Sequence, residues 1–223
     1  SLFDAKVSPT YKTTVSHNKI EQIIIQKQDF EIDFAKIKFK IQKEVIIKSG
    51  CVTYITGESG VGKSLFLKAL IGYKDEISHD VIIANSSKNY KIPDFKIGYI
   101  SQKSVLFDSS IGSNIVFNNN NNIIENNIGL INSLLTQVGL EQFCSRDSTG
   151  IFYEVGESGK KLSGGQKQKL LIARSLFTNP DILVLDEVTS GLDKKSCSNI
   201  YKIIHEISKS IPVIAISHNI EKY

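Results

Sequence analysis

The sequence predicts an α/β fold with a mainly parallel central sheet. Apolar, β-branched runs, which are typical of buried strands, alternate along the chain with helical stretches. The strand-like runs are Cys51–Thr56, Val81–Ala84, Ile97–Ile100, Ile182–Leu185 and Val213–Ile216. Because crossover helices join parallel strands, this alternation indicates a parallel order. Ligands of such sheets bind at the carboxyl ends of the strands, so the functional residues are expected there.

The composition narrows the class of protein. A chain of 223 residues forms one large domain or a domain with a subdomain, and its net charge of +4 indicates no particular polyanionic partner. No apolar run approaches the roughly 20 residues of a membrane span, and no signal-peptide pattern is present. Cys51, Cys144 and Cys197 are scattered outside any C-x-x-C motif, which indicates a reducing compartment and argues against a zinc site.

The N-terminal part of the chain changes character at about residue 20. Residues 1–19 are polar and are expected to be a linker or the tail of a preceding domain, and the absence of methionine predicts a longer parent polypeptide. Further on, Ile37, Phe39 and Ile41 alternate with lysines, which predicts a strand with one solvated face. The lysines are interpreted as that solvated face, and no binding to nucleic acid is expected.

A glycine-rich loop joins the strand at Cys51–Thr56 to a helix at Leu65–Ile71 and fits the phosphate-binding pattern G-x-x-x-x-G-K-[ST]. Its residues are Gly57, Glu58, Ser59, Gly60, Val61, Gly62, Lys63 and Ser64. Glycines let successive backbone N–H groups surround a polyphosphate, and the helix N-terminus adds partial positive charge. Lys63 is expected to reach the β- and γ-phosphates, and the Ser64 hydroxyl to hold Mg²⁺.

An asparagine-rich segment follows further along the chain. Residues 117–127 hold an uninterrupted asparagine run at 118–122, inside a mostly helical region from Ile111 to Phe143. We interpret the segment as a low-complexity surface insertion without a catalytic role.

A second anion site is predicted at the start of the long helix that ends near Phe177. Ser163 followed three residues later by Gln166 is a capping box, and Gly164 and Gly165 leave backbone N–H groups accessible beside it. Since Lys63 and Ser64 already serve one phosphate group, this second site is expected to serve another nucleotide, on another chain.

Polar residues end the last two predicted strands. Asp186 follows a buried apolar run, where a carboxylate is suited to Mg²⁺, and the adjacent Glu187 is placed to orient or deprotonate an attacking water. His218 follows Val213–Ile216 and is a candidate contact to the γ-phosphate.

Together these motifs resemble the nucleotide-binding domain of ABC transporters, over roughly residues 20–218. The resemblance implies a P-loop NTPase core with an antiparallel β region near the N-terminus and an inserted α-helical subdomain at about 103–178, within an ATPase domain at 20–223. It assigns Gly57–Ser64 to Walker A, Gln102 to the Q-loop, Leu162–Gln166 to the signature, Ile182–Asp186 to Walker B, Ser190–Asp193 to the D-loop and His218 to the switch histidine.

The resemblance also implies a mechanism with ATP and Mg²⁺ as cofactors. Glu187, His218, Gln102 and Lys63 would carry catalysis, while Ser64, Gln102 and Asp186 would hold the metal. Two domains would dimerise head to tail, so that each ATP lies between Walker A of one copy and Ser163–Gln166 of the other, with Asp193 nearby. Closure would drive transmembrane domains from the cytoplasmic face of a membrane.

Finer features resemble exporters whose transmembrane and nucleotide domains share one polypeptide. These features are Tyr153–Glu157, similar to the X-loop, and Ser104–Phe117 after the Q-loop. The chain departs from the exporter pattern at Gly191, where exporters more often have alanine. Phe30 and Phe34 are the candidates for stacking on adenine. The short segment after His218 is expected to reflect either a truncated chain or a member of the family that ends early.

Three alternatives stay open at this point. One is a soluble ABC ATPase acting on DNA or ribosomes, although no sustained heptad repeats or second nucleotide domain are visible. Another is a separately encoded ATPase subunit of a transporter. The third is a regulatory nucleotide-binding module without turnover, against which both Glu187 and His218 argue.

Overall fold

The structure is a computed structural model. The described residues are 22–25, 28–32, 37–71, 83–85, 88–90, 95–145, 147 and 149–217. The strands are β1 (Gln22–Ile25), β2 (Gln28–Ile32), β3 (Ile37–Ile41), β4 (Val45–Lys48), β5 (Val52–Ile55), β6 (Ile83–Asn85), β7 (Lys88–Tyr90), β8 (Ile97–Ile100), β9 (Ile182–Asp186) and β10 (Val213–Ile216). The α-helices are α1 (Lys63–Leu70), α2 (Ile111–Val116), α3 (Asn121–Asn126), α4 (Ile128–Gln137), α5 (Gly164–Phe177) and α6 (Lys194–Ser208).

Four strands form the central sheet in the order β5-β10-β9-β8, and all neighbours are parallel, as predicted. The predicted strand at Val81–Ala84 is not among them, because its Ile83 and Ala84 lie in β6, which pairs antiparallel with β7 in a separate sheet. Every residue of β9 and β10 is buried, because both strands are internal and covered on both faces. The register places Ile216 opposite both Ile55 and Asp186. The carboxyl ends of β5, β10 and β9 therefore lie level at one edge of the sheet.

The two faces of the central sheet bury different side chains of the same strand. Leu183 and Leu185 join a core formed with α2, α4, α5 and α6. Ile182 and Val184 point to the opposite face, where they join a smaller core with α1, β1 and β4. This alternation follows from the two-residue period of a strand and explains why β9 is apolar throughout.

Antiparallel pairs form the predicted β region near the N-terminus. Strand β1 pairs with β4 and β2 pairs with β3, while β6 pairs with β7 further along the chain. Ile23, Ile25 and Ile47 of the first pair are buried against α1 and the sheet. At the end of β3, Ile41 is half-buried and Lys40 is exposed, as the alternating pattern predicts.

The helical layer beside the sheet is organised by α5, which packs on α2, α4, α6 and β8. Residues 118–123 of the asparagine-rich segment are exposed, as expected for a surface insertion. The segment nevertheless forms α3, and Ile124 of that helix is 0% exposed. The sequence interpretation missed this anchor because two adjacent isoleucines among asparagines give no periodic signal.

None of the helices found within the described residues has the length and apolar composition needed to cross a membrane.

Candidate functional site

The phosphate-binding pattern forms a loop between β5 and α1, at the carboxyl edge of the sheet. Gly60 has φ 84° and Gly62, the cap of α1, has φ 92°, a left-handed region that costs a side-chain-bearing residue energy. The Lys63 ammonium lies inside the loop, where Nζ donates to the carbonyls of Gly57 at 2.9 Å and Glu58 at 2.6 Å. A buried cation therefore stands within a ring of backbone groups, which suits a polyphosphate.

Ser64 and Asp186, both predicted metal ligands, meet directly. Ser64 Oγ donates to Asp186 Oδ1 at 2.9 Å, and the Asp186 residue is 2% exposed. Tyr99 OH reaches the second carboxylate oxygen, Oδ2, at 3.5 Å. Burial is the main cause that raises the pKa of Asp186, and the nearby Glu187 carboxylate adds to it. Oxygen ligands of this kind fit Mg²⁺, whose charge would oppose the shift by favouring the ionised carboxylate.

Gln102 and Glu187 form the second pair at the same edge. Gln102 Nε2 donates to Glu187 Oε2 at 2.9 Å. Glu187 has φ 54°, an unusual value for a residue other than glycine, and its backbone N–H donates to the Ile216 carbonyl at 3.3 Å. Such backbone strain accumulates at functional sites, because the surrounding structure must hold it. The structure thus brings Gln102 and Glu187 together after β8 and β9.

A separate group of predicted residues surrounds the N-termini of α5 and α6. Ser163 Oγ accepts from the Gln166 backbone N–H at 3.2 Å, and Gln166 Oε1 accepts from the Ser163 backbone N–H at 2.8 Å. This arrangement is the predicted capping box. A Cβ on Gly165 would lie 2.9 Å from Ser196 Oγ, so α6 packs closely against the start of α5.

Asp193, predicted to lie near the nucleotide, caps α6 in the structure. Its carboxylate accepts from the Ser196 backbone N–H at 2.9 Å and from the Ser196 hydroxyl at 2.6 Å. These hydrogen bonds lower the pKa of Asp193. No hydrogen bond joins Asp193 or Ser163–Gln166 to the phosphate loop in the part of the chain that the structure describes. The two groups are therefore distinct within one copy of the chain.

Several predicted residues lie outside this geometry. His218 and Phe34 are outside the described residues, as is the side chain of Phe30. Their assignments as switch histidine and as adenine-stacking candidates stay predictions. The described chain ends at Ser217, whose backbone N–H donates to the Ile55 carbonyl at 3.4 Å.

Sequence reasoning missed two features of the site. The first is Tyr99, which lies three residues before Gln102. The Tyr99 hydroxyl reaches Asp186, and the signal available in the sequence was the position of Tyr99 in a strand that ends at the site.

The second feature is buried Asn114, which binds the loop after Gln102. Its side chain accepts a hydrogen bond from the Phe107 N–H at 2.9 Å and donates one to the Ser110 carbonyl at 3.0 Å. Arg174 of α5 donates to the Asn114 carbonyl at 2.7 Å and to its side chain. Burial lowers the pKa of Arg174 to about 10.

Comparisons with known proteins found a matching family model and several similar proteins. The family model described as ABC transporter matches residues 42–190. An export ATP-binding/permease protein of Rickettsia prowazekii is 32% identical over an alignment of 222 residues, and this alignment covers 94% of the present chain. ABC transporter B family member 1 of Dictyostelium discoideum is 36% identical over 177 residues, or 78% of this chain.

A solved structure of a bacterial Atm1-family ABC exporter with ATP bound matches 92% of this chain, with a TM-score of 0.67 and 27% identity. The chain spans only part of each of these proteins. It covers 38% of the Rickettsia protein, 19% of the Dictyostelium protein and 35% of the exporter chain in the solved structure.

Proposed function

The chain belongs to the ABC transporter family, and from this premise we propose that it binds and hydrolyses ATP to power export across a membrane. One observation carries the proposal. Two hydrogen-bonded pairs, Ser64 with Asp186 and Gln102 with Glu187, lie at the sheet edge that also presents Lys63. Together with the phosphate loop, these pairs supply metal-binding oxygens and a carboxylate base, which are the groups that phosphoryl transfer requires.

The phosphate loop binds the substrate in this proposal. Lys63 exchanges its hydrogen bonds to the Gly57 and Glu58 carbonyls for phosphate oxygens, and the N–H groups at the start of α1 bind the same anion. Ser64 and Asp186 are the residues that would hold Mg²⁺, with Gln102 completing the set. The metal, when bound, neutralises charge that develops on the phosphates during transfer.

Glu187 acts as the base that positions water. Its Oε2 accepts a hydrogen bond from Gln102, which orients the carboxylate at the edge of the sheet where the attacking water would bind. His218 is proposed as a further contact to the γ-phosphate. Gln102 lies in the loop that follows β8, so it would also couple metal binding to the position of that loop.

A second copy of the chain completes the site. Ser163 and Gly164 are exposed at the N-terminus of α5, where backbone N–H groups bind anions well. Because no hydrogen bond joins them to the phosphate loop of the described chain, we propose that they bind ATP held by the partner's loop. ATP then joins two copies head to tail, and its hydrolysis releases them.

Transmembrane domains are proposed to dock near the Q-loop. Val105, Phe107 and Phe117 are 58%, 44% and 64% exposed, and the two phenylalanine rings meet edge to face at 4.9 Å. The exporter-like segment at 153–157 lies against this region, since its Val155 N–H donates to the Ser109 carbonyl at 3.1 Å. An exposed apolar surface of this kind favours a protein partner. The relatives described as export ATP-binding/permease proteins support a position at the cytoplasmic face of a membrane.

Replacing Glu187 with glutamine tests the function. Glu187→Gln keeps the shape of the side chain but removes the base, so ATP binding should persist while hydrolysis falls by at least about a hundredfold. Titration of binding with a fluorescent ATP analogue and a phosphate-release assay on the full-length protein measure the two properties. The matched control is Glu141→Gln, an exposed carboxylate in the helical layer, which should hydrolyse ATP at the wild-type rate.

Hydrolysis by Glu187→Gln at the wild-type rate would remove Glu187 as the base. A wild-type protein that bound ATP without hydrolysing it would instead support the regulatory module without turnover.

A further inference from the structure

The hydroxyl of Tyr201 lies between the two loops that leave the central strands at the proposed ATP site. Tyr201 OH is 3.2 Å from Thr189 Oγ1 and 2.9 Å from Ser217 Oγ. Thr189 follows Glu187 by two residues, and Ser217 is the first residue after β10. One phenol from α6 therefore bridges the ends of β9 and β10.

We propose that Tyr201 is a positioning residue for Glu187, acting through a chain of three hydroxyls from Thr189 to Ser217. This proposal rests on the proposed ATPase function and adds to it a group that touches neither ATP nor metal.

The backbone around Glu187 explains why such a link matters. Glu187 has a left-handed backbone conformation, with φ 54°. Two backbone hydrogen bonds hold it: the Glu187 N–H donates to the Ile216 carbonyl, and the Ser190 N–H donates to the Glu187 carbonyl at 3.0 Å. The first of these bonds is long at 3.3 Å. The hydroxyl chain adds a side-chain connection between the same two loops, which restricts how the Glu187 carboxylate can move.

The surroundings of Tyr201 make the link specific. Its ring meets Tyr54 of β5 edge to face, with centroids 6.3 Å apart, so ring packing sets where the hydroxyl lies. Ser217 is buried, so its hydroxyl needs a hydrogen-bond partner within the protein, which Tyr201 provides. Cys197 Sγ approaches the Thr189 carbonyl at 3.6 Å and is a weaker contact from the same helix.

Tyr201→Phe tests the proposal, because it removes the hydroxyl and keeps the ring. In the full-length protein, we expect kcat for ATP hydrolysis to fall about threefold to tenfold, because losing this neutral hydrogen-bonded link loosens the position of Glu187. The KM for ATP should stay unchanged, because the phosphate loop is untouched. Amide hydrogen exchange should accelerate at 186–192 and stay unchanged in α1.

Tyr54→Phe is the matched control. Tyr54 supplies the other ring of the pair, and its hydroxyl makes no hydrogen bond with any other described residue. This variant should match the wild type in kcat and in exchange. Ser217→Ala breaks the chain at its other end, and combining it with Tyr201→Phe should reduce kcat little beyond either single change.

Three results would overturn the proposal: wild-type kcat and exchange in Tyr201→Phe, equal losses in Tyr201→Phe and Tyr54→Phe, or fully additive losses in the double variant. Failure of the function itself looks different, because the wild-type protein would not hydrolyse ATP. In that case unchanged exchange at 186–192 in Tyr201→Phe would also refute the hydroxyl link, whereas accelerated exchange would support the link without the ATPase.

Discussion

Two aspartates show at the residue scale how surroundings determine chemistry. Asp186 is buried at the end of β9, where burial raises its pKa, whereas Asp193 is exposed at the start of α6, where hydrogen bonds from Ser196 lower its pKa. Asp186 is therefore suited to a cation that stabilises its charge. Asp193 remains ionised to lower pH than usual, so its contribution to folding is lost only as pH falls through its lowered pKa.

Lys63 gives the prediction that belongs to this scale. Lys63→Met keeps the length and apolar stem of the side chain but removes the charge that lies in the phosphate loop. The affinity for ATP should fall at least about tenfold, because a hydrogen bond to a charged group is worth roughly 1.5–3 kcal/mol. Isothermal titration calorimetry measures the change.

The control for Lys63 is Lys202→Met, an exposed lysine on α6. It should bind ATP as the wild type does. Equal losses in the two variants would mean that net charge, and not the position of Lys63 in the loop, determines the affinity.

At the scale of elements, the asparagine-rich helix α3 depends on one apolar residue. Ile124 is buried against Gly112, where a Cβ would lie 2.8 Å from Ile124 Cγ2. Only glycine permits this approach, so α2 and α3 pack closely at the base of the loop that carries Phe107. The caps of α2 and α3, Ser110 and Asn120, accept hydrogen bonds from their own first turns.

Replacing Ile124 tests this packing. Ile124→Ala should lower the free energy of unfolding by about 2–5 kcal/mol, because it leaves a cavity in a filled core. Asn121→Ala, an exposed change in the same helix, should stay within about 0.5 kcal/mol of the wild type. Urea denaturation followed by circular dichroism measures both variants. Similar values for the two would show that α3 is not anchored by Ile124.

At the scale of the whole molecule, the two groups of predicted site residues occupy different places. The phosphate loop, Asp186 and Glu187 lie at the carboxyl edge of the sheet, whereas Ser163–Gln166 lie where α5 meets α6. In the proposed head-to-tail dimer, a pair of identical chains would bring these groups together twice, by two-fold symmetry.

Mixing two defective chains tests this arrangement. Lys63→Ala removes the phosphate-loop cation, and Gly164→Asp places a carboxylate at the signature, where a Cβ already comes within 3.0 Å of Leu192 Cδ2. Each variant alone should be inactive. Coexpression should restore up to roughly a quarter of the ATPase activity, because half of the dimers are mixed and each carries one intact site of two. Phosphate release measures the recovery, and its absence would place both motifs in one chain's site.

Much of the fold could be predicted from local patterns. The runs at 97–100, 182–185 and 213–216 became strands of the parallel sheet because β-branched apolar sequences specify buried strands over a few residues. The Ser163 capping box was equally local, since its two partners are three residues apart. The anchor at Ile124 was not predicted, because its burial depends on a distant glycine.

Local chemistry also predicted the individual site residues, but only the tertiary structure showed which of them pair. Ser64 and Asp186 are 122 positions apart, and Gln102 and Glu187 are 85 apart. Their contacts depend on strand order and register, which bring the ends of β5, β9 and β10 to one level. The link from Thr189 through Tyr201 to Ser217 gave no sequence signal at all. A hydroxyl in a helix becomes functional only where packing of that helix directs it between two loops.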